Sequence, residues 1–441
     1  MKRLLLLSIL FLTSCNLIES ISPNPVIIQK DGVEIADGTV FEMTPGDYMS
    51  IEALSGNNRA DVSWSSSDES VAIVTWSGEI YVLHGGETTI TATMEDGKKI
   101  SFRIRIPVIP HGDIYFACGS ETASHRLYIN GVAQNQTCTL LDSDELGNIW
   151  VGVQEGNNIS LSKNGVSVLK DHSFQGLADQ FQSLRAKGGK AYLYVNNSDA
   201  TACQYMVFSA DGSYREGVID LTQNEWDYPY GYVVAMDEDA QGNLIFWGSI
   251  KEQWVKYAHR WTVAPDGTVS GKILDYWNEE HGYYDLMGVP ADAALDADGN
   301  TYYLVSGENS VVPGHTERSF EVWKNDKFAY FLSEDAEIVN SGLRGKMVVR
   351  GNDVWFAASE VIRAGEDWWD KDYGLIVYKN GKKQYTAATG DNFGGVGLSV
   401  TSSGDVYTLH LADGAIVTKN GTPILSIPIA NCWSPVFAVK E

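Results

Sequence analysis

Basic residues are scarce in this chain of 441 residues, which has 32 Lys and Arg against 57 Asp and Glu and a formal net charge of −25. Nucleic-acid binding needs clustered Lys and Arg to displace counterions from the phosphates, so the composition argues against DNA and RNA as partners. Proline is also rare, at 12 residues, whereas glycine reaches 43 and aromatic residues 11%. Glycine turns and aromatic side chains are typical of short β-strands. The composition therefore predicts an all-β protein.

Cysteine is almost absent, with five residues in the whole chain. Cys15 is discussed below, and the others are Cys118, Cys138, Cys203 and Cys432. They are too few for a disulfide framework and show no C-x-x-C or His/Cys spacing suited to zinc. We expect buried thiols that pack as small apolar residues, although the sequence leaves open whether any of them pair. Neither a metal nor another cofactor is expected.

Long hydrophobic runs are missing after the first residues of the chain. Lys2 and Arg3 precede an apolar run at residues 4–12, which is too short to span a bilayer. The run ends in Leu12-Thr13-Ser14-Cys15, which resembles the lipobox of bacterial lipoproteins. The resemblance implies that residues 1–14 are a signal peptide and that the Cys15 thiol carries diacylglycerol, followed by a linker to residue 25. An ordinary signal peptide with a coincidental cysteine is the alternative.

The second residue of the expected mature chain is Asn16, not the Asp of an inner-membrane retention signal. We therefore expect a lipid anchor in the outer membrane of a Gram-negative cell. The sequence does not indicate which leaflet the protein faces, and it leaves the oligomeric state open.

Residues 26–107 alternate between apolar and polar positions, as half-buried strands do. The most specific stretch runs from Val62 through Trp64 to Val74 and reads VSWSSSDESVAIV, followed at residues 86–92 by GETTITA. These runs resemble a group 2 bacterial Ig-like domain, which implies a β-sandwich that acts as a spacer or an adhesive module. Trp64 is expected in the core and Trp76 at an exposed edge.

Residues 108–441 contain a repeat, in which a glycine and a small or polar residue precede an apolar-aromatic strand. The repeat glycines are separated by 35 to 57 residues, and they are Gly112, Gly147, Gly189, Gly242, Gly299, Gly351 and Gly404. A second hairpin signal follows each of them, at Asn130-Gly131, Asn164-Gly165, Asp211-Gly212, Asp266-Gly267, Asn325-Asp326, Asn380-Gly381 and Asn420-Gly421. Such dipeptides favour tight hairpins with positive φ at both central residues. Four antiparallel strands per repeat predict a propeller blade.

The ends of the propeller region indicate how it closes. Its first repeat has only the last three strands of a blade, and Val436 to Val439 look like a first strand with no second strand behind it. Pairing them completes one blade from both ends and removes the open sheet edges. We therefore predict an Ig-like β-sandwich followed by a seven-bladed β-propeller, with six or eight blades as the alternatives. The repeats resemble those of regulator-type and NHL-type propellers, a likeness of architecture that implies no activity.

Loop lengths point to one face of the propeller as the binding face. With the strands of a blade named A to D, the A–B and C–D turns share one face and the B–C and D–A loops share the other. The A–B and C–D turns are short here, so all the length variation falls in the other loops, where binding residues concentrate. Aromatic residues in these loops beside carboxylates suit a sugar ligand, and they are Trp226, Tyr228, Tyr230, Trp277, Tyr283, Tyr284, Trp368 and Trp369.

Packing is the alternative role for each of these aromatic residues, either within a loop or, for Trp277, Tyr283 and Tyr284, between blades. Three further tryptophans that fall in strands are expected in the core, namely Trp150, Trp323 and Trp355.

Catalytic signals are weak. No G-x-S-x-G, H-E-x-x-H or phosphate-binding glycine loop occurs, and Glu279-Glu280-His281 is read as a solvated acidic loop. We therefore expect a non-catalytic protein whose propeller binds a glycan or a cell-surface protein. An enzyme acting on a polysaccharide or lactone at the top of the central channel, by hydrolysis or by a lyase reaction, is the alternative. Convergent carboxylates at that position would favour the enzyme.

Overall fold

The computed structural model describes residues 25–120, 123–174, 177–222, 230–252, 255–274, 276–278, 283–285, 290–306, 320–332, 346–364, 371–390, 396–411, 414–429 and 433–441. Within these ranges every regular element is a β-strand, as the composition predicts. The chain divides after Pro107 into two compact units.

The first unit is a sandwich of short strands. They are β1 (Val26–Lys30), β2 (Val33–Glu34), β3 (Val40–Glu42), β4 (Tyr48–Ser50), β5 (Glu52–Ser55), β6 (Asn58–Arg59), β7 (Val62–Ser66), β8 (Ala72–Val74), β9 (Glu79–Val82), β10 (Gly86–Met94) and β11 (Lys99–Ile106). Three sheets result, with the strand orders β2-β1-β5-β6, β3-β11-β10-β7 and β4-β9-β8.

Period-2 patterning builds the core of this unit. Ile90 and Ala92 of β10 and Phe102 and Ile104 of β11 are fully buried, while the residues between them are more exposed. Trp64 is partly buried and packs against this core. Trp76 is 86% exposed, which confirms it as a surface residue.

The second unit begins with β12 (Asp113–Ser120), β13 (Ala123–Ile129), β14 (Val132–Thr137), β15 (Leu140–Ser143), β16 (Ile149–Glu155), β17 (Asn158–Lys163), β18 (Val166–Ser173), β19 (Leu177–Lys187), β20 (Lys190–Asn197), β21 (Ala202–Phe208), β22 (Tyr214–Asp220), β23 (Tyr230–Glu238), β24 (Leu244–Glu252), β25 (Val255–Val263) and β26 (Val269–Ile273). It continues with β27 (Tyr276–Asn278), β28 (Tyr283–Asp285), β29 (Pro290–Leu295), β30 (Thr301–Ser306), β31 (Phe320–Lys324), β32 (Lys327–Phe331), β33 (Lys346–Arg350), β34 (Asp353–Ala364), β35 (Lys371–Lys379), β36 (Lys382–Gly390), β37 (Val396–Val400), β38 (Val406–Leu411), β39 (Ala415–Lys419), β40 (Thr422–Ile427) and β41 (Trp433–Lys440).

In the described part of this unit these strands form seven four-stranded sheets, which confirms the seven-bladed propeller. Blade 1 has the order β41-β12-β13-β14, and blades 2 to 4 are β15–β18, β19–β22 and β23–β26. Blades 5 to 7 are β29–β32, β33–β36 and β37–β40. The innermost strands are β41, β15, β19, β23, β29, β33 and β37, and each contacts the next around a closed ring.

Blade 1 is assembled from two distant parts of the chain. Strand β41 pairs antiparallel with β12, so that Phe437 lies opposite Phe116 and Val439 opposite Ile114. The innermost strand of this blade therefore comes from the end of the sequence, and the other three strands come from the start of the propeller region.

The hairpin turns follow two geometries. Both central residues have positive φ in the Asn-Gly turns and in Asn325-Asp326, as predicted. At Asp211-Gly212 and Asp266-Gly267 the prediction of positive φ at both residues is wrong, because only the glycines are left-handed. These aspartates instead accept backbone N–H groups two residues ahead, at 3.0 and 2.9 Å. In these two Asp-Gly turns, which are longer than the Asn-Gly turns, a side-chain hydrogen bond therefore satisfies a backbone amide at the end of the hairpin.

The core lies between neighbouring blades. Trp150, Trp323 and Trp355 are buried, which confirms their assignment to the core. Cys138 and Cys203 are buried free thiols, as expected, and burial raises the pKa of Cys138 to about 12. Cys118 departs from the expectation of buried thiols because it is disulfide-bonded.

Candidate functional site

The A–B and C–D turns lie together on one face of the propeller, which we call the hairpin face. In blade 6 the Asn380 Oδ1 accepts the amide of Val354 at 2.8 Å, and its Nδ2 donates to Asp353 Oδ1 at 2.9 Å. The same pair of bonds recurs in four other blades, at Asn130, Asn164, Asn325 and Asn420. In these five blades an Asp or Asn one or two residues after the repeat glycine therefore holds a hairpin, and these polar groups satisfy one another.

Aspartates on the innermost strands fasten each blade to the next. Asp142 Oδ2 accepts the amide of Ala186 at 2.7 Å, and Asp237 Oδ2 accepts that of Leu295 at 3.0 Å. Asp292 Oδ2 accepts the amide of Met347, in blade 6, at 3.2 Å. Burial raises the pKa of Asp142, and the amide hydrogen bonds oppose that rise. An aspartate side chain thus joins blade 2 to blade 3, another joins blade 4 to blade 5, and a third joins blade 5 to blade 6.

Two cations of blade 3 meet these carboxylates, Arg185 on blade 5 across the channel and Lys187 on the neighbouring blade 4. Arg185 Nη2 lies 2.8 Å from Asp292 Oδ1, and Nη1 donates to the carbonyl of Ala293. Lys187 Nζ lies 2.8 Å from Asp237 Oδ2, whose side chain is 1% exposed. Burial opposes the charge of Arg185, but the facing carboxylates outweigh it and hold its pKa above the ordinary value. Blade 3 is therefore bonded to blade 5 across the channel.

A further pair spans the hairpin end of the channel. Glu145, in the A–B turn of blade 2, accepts the amide of Gly188 at 2.8 Å. Its other oxygen lies 3.9 Å from Arg350 Nη1 of blade 6, and Arg350 Nε donates to the carbonyl of Val400 at 2.9 Å. Ion pairs thus occupy the hairpin half of the channel.

Within the described residues, the channel carboxylates named above are held by cations or backbone amides. Such bonding suits a rigid support, because both oxygens of Asp142, Asp237 and Asp292 already have hydrogen-bond partners. Glu145 Oε2 differs from them, since it is buried without a hydrogen-bond partner among the described residues. No group of three His, Cys, Asp or Glu side chains in the described part of the chain is placed to hold a metal ion.

The opposite face, which we call the loop face, carries the B–C and D–A connections. Trp226 and Tyr228 fall between β22 and β23, a D–A connection, and Trp368 and Trp369 fall between β34 and β35, a B–C connection. These four residues lie outside the described ranges, as do Cys15 and the acidic segment at 279–281. The backbone of Tyr230 begins β23 at this face, and its side chain also lies outside what the structure describes.

A small extra sheet lies in the D–A connection between blades 4 and 5. Strands β27 and β28 pair antiparallel, which places Trp277 opposite Tyr284 and Asn278 opposite Tyr283. The sequence interpretation treated this stretch as loop and did not predict the hairpin. The three aromatic residues are thus brought together in the backbone register of one hairpin, while their side chains lie outside the described set.

Sequence reasoning missed the channel residues. The signal available was a charged residue next to buried apolar residues in an inner strand. Arg185 sits between the buried Leu184 and Ala186, and Asp237 follows the buried Met236. A charge in such a strand needs a partner, but the sequence did not indicate which residue supplies it.

Comparison with known proteins bears on each unit separately. Residues 48–102 match the family model of the bacterial Ig-like domain (group 2). The match covers the central strands of the first unit and supports the resemblance drawn from VSWSSSDESVAIV. A search of curated proteins finds no match to the chain.

Several solved structures show a weak similarity to this chain. A quinonprotein alcohol dehydrogenase-like protein from Bacteroides thetaiotaomicron is 11% identical with a TM-score of 0.39, over 93% of this chain and 99% of that one. The β-propeller domain of the Trilobed protease from Pyrococcus furiosus is 12% identical with a TM-score of 0.39, over 78% and 92%. An oligogalacturonate lyase in complex with manganese is 9% identical with a TM-score of 0.41, over 73% and 86%. Similarities this low carry no argument about activity or ligand.

Across the described ranges, none of the elements is a helix with the length and hydrophobicity that a bilayer crossing requires.

Proposed function

We propose that this protein is a lipid-anchored binding protein of the cell envelope, with a propeller loop face that binds a glycan or a protein partner. The Ig-like domain serves as the spacer between the anchor at Cys15 and the propeller. The observation that supports this proposal is the difference between the two faces of the propeller.

The hairpin face has little to offer a ligand. Its asparagines and aspartates bond to one another in five blades, and ion pairs occupy the channel on that side. The loop face carries every long connection and all the candidate aromatic residues of the sequence. Binding residues concentrate in long loops on a rigid scaffold, and the cross-channel ion pairs supply the rigidity.

A glycan is the ligand class that the loop sequences favour. Trp226, Tyr228, Trp368 and Trp369 offer rings for pyranose faces, and Asp227, Asp367 and Asp370 alternate with them as acceptors for hydroxyl groups. The net charge of −25 disfavours an acidic ligand. We therefore expect a neutral saccharide or a protein surface that is not acidic.

Replacement of Trp368 and Trp369 by Ala is expected to weaken glycan binding about tenfold or more. Stacking on an aromatic ring contributes roughly 0.5–1.5 kcal/mol beyond area burial, so two platforms give a change of that size. The measurement is a glycan array with the wild type and the double variant, followed by titration calorimetry on the best glycan.

Two control variants accompany this experiment. Trp76→Ala removes an 86% exposed ring of the Ig-like domain and should leave both binding and melting unchanged. Trp355→Ala removes a buried ring of blade 6 and should lower stability by about 3–5 kcal/mol. If the Trp368/Trp369 variant melts as low as the Trp355 variant, those rings pack the loop and the assignment is wrong.

Replacement of Cys15 by Ala should abolish metabolic labelling with palmitate and move the protein from the membrane to the soluble fraction. The reason is that the proposed acyl chains supply the membrane affinity. Cys203→Ala is the matched control, since that thiol is buried and free, and its label should persist. Palmitate retained in the Cys15 variant would disprove the anchor.

A further inference from the structure

A polar groove lies between blades 1 and 2, toward the outer rim of the loop face. Its volume is about 380 Å³, within the range of small-molecule sites. Asn135 and Gln136, near the end of β14, line one side of the groove. Glu155 and Asn158, on either side of the B–C turn of blade 2, line the other. The groove is thus built by four described strands and does not depend on the long loops.

The polar side chains of this groove are uncommitted. In the described part of the chain, no hydrogen bond or ion pair engages the side chains of Asn135, Gln136, Glu155 or Asn158. This contrasts with the hairpin face, where the same residue types are bonded in pairs. The hydrophobic cluster between these two blades includes Leu127, Leu141 and the other apolar residues of the seam, and none of them lines the groove.

An irregularity of the backbone orients the side chain of Asp171, which also lines this groove. The pairing register of β17 and β18 shifts between Ile159 and Leu161, and Asp171 has a φ of +48°. Positive φ is unfavourable for residues other than glycine and recurs at functional sites, and bulges re-aim side chains. Ser160 bonds this aspartate at both its amide, 3.0 Å, and its carboxylate, 3.3 Å, which places two further polar groups in the groove lining.

The chemistry of the lining selects the ligand. Amides, hydroxyls, two carboxylates and the apolar Val153 line the groove, and no basic side chain does, which disfavours anions. Carboxylates and amides together accept from and donate to neighbouring hydroxyl groups. We propose that this groove is a second binding site, for one or two units of a neutral saccharide, separate from the aromatic loops of the loop face.

The test is an array of neutral, amino and acidic oligosaccharides, probed with the full-length protein and with three variants. Glu155→Gln removes a charge-assisted acceptor, and Asn158→Trp fills the groove. Glu34→Gln is the matched control, because it makes the same change at an exposed carboxylate of β2 in the Ig-like domain. We expect both groove variants to weaken binding of a neutral glycan about tenfold or more and Glu34→Gln to leave it unchanged, with melting unchanged throughout.

The result also separates this site from the loop-face proposal. Binding that falls in the groove variants and persists in Trp368→Ala/Trp369→Ala supports the groove alone, and a ligand that needs both supports an extended glycan. Binding that is unchanged in Glu155→Gln and Asn158→Trp overturns the groove. A preference for amino sugars that disappears at high salt also overturns it, because screening weakens attraction to the carboxylates and neutral hydroxyl recognition is insensitive to it.

Discussion

Deletion of residues 436–441 is expected to unfold the whole propeller, although it removes only six of 441 residues. These residues form most of β41, which pairs with β12 and contacts the innermost strands of blades 2 and 7. Phe437, Ala438 and Val439 are buried in the seams on both sides. Loss of a buried Phe alone costs about 3–5 kcal/mol. This is a large share of the free energy of unfolding of a typical protein, which is about 5–15 kcal/mol.

The truncation is measured by calorimetric melting of the full-length protein. The Ig-like domain is the internal reference, because the deletion does not touch its strands. Phe437→Ala should lower the propeller transition alone, and Lys440→Ala should leave it within about 0.5 kcal/mol. An unchanged propeller transition in the truncated protein would refute closure through β41.

Replacement of Arg185 by Met is expected to lower the free energy of unfolding by about 3 kcal/mol or more. The change leaves the Asp292 carboxylate, whose side chain is 12% exposed, without its cation, and breaking a buried pair costs about 3–5 kcal/mol. Asp292→Asn in the same chain should recover part of the loss, because the neutral amide needs no cation and its oxygen still accepts one of the two backbone N–H groups, of Ala293 and Met347, that the carboxylate accepts.

A double-mutant cycle on Arg185 and Asp292 measures this coupling by chemical denaturation. Lys272→Met is the matched control, since the Lys272 side chain is 55% exposed in its ion pair with Asp326, and an exposed pair contributes less than about 1 kcal/mol. If Arg185→Met costs no more than the Lys272 variant, the cross-channel pair does not support the ring.

The fold could be predicted from sequence because the interactions that specify a blade are local. Asn164 and Asn148, which lock one hairpin to its turn, are 16 residues apart, and both belong to the repeated signal. The Asp-Gly turns at 211 and 266 were the exception. The side chain of each of these aspartates accepts the amide two residues ahead, so the left-handed residue that precedes glycine in an Asn-Gly turn is not needed.

The channel and the groove could not be predicted because their residues come from different blades. Arg185 and Asp292 are 107 residues apart, and the identity of the partner depends on which blade faces blade 3. The groove needs the register shift at Asp171, and Asp in a left-handed conformation has no pattern that distinguishes it from a strand residue. The aromatic residues of the long B–C and D–A connections were indicated by loop length and by the order of strands in the repeat. Their role as a ligand surface stays a prediction.

Amide hydrogen exchange on the full-length protein, with and without its best array glycan, tests the binding face most directly. We predict protection in peptides from the B–C and D–A connections, above all around residues 223–230 and 365–370, with the Asn-Gly hairpins at 130, 164, 380 and 420 unchanged. Protection confined to those hairpins, or to the turn around Glu145 at the opposite end of the channel, would contradict it.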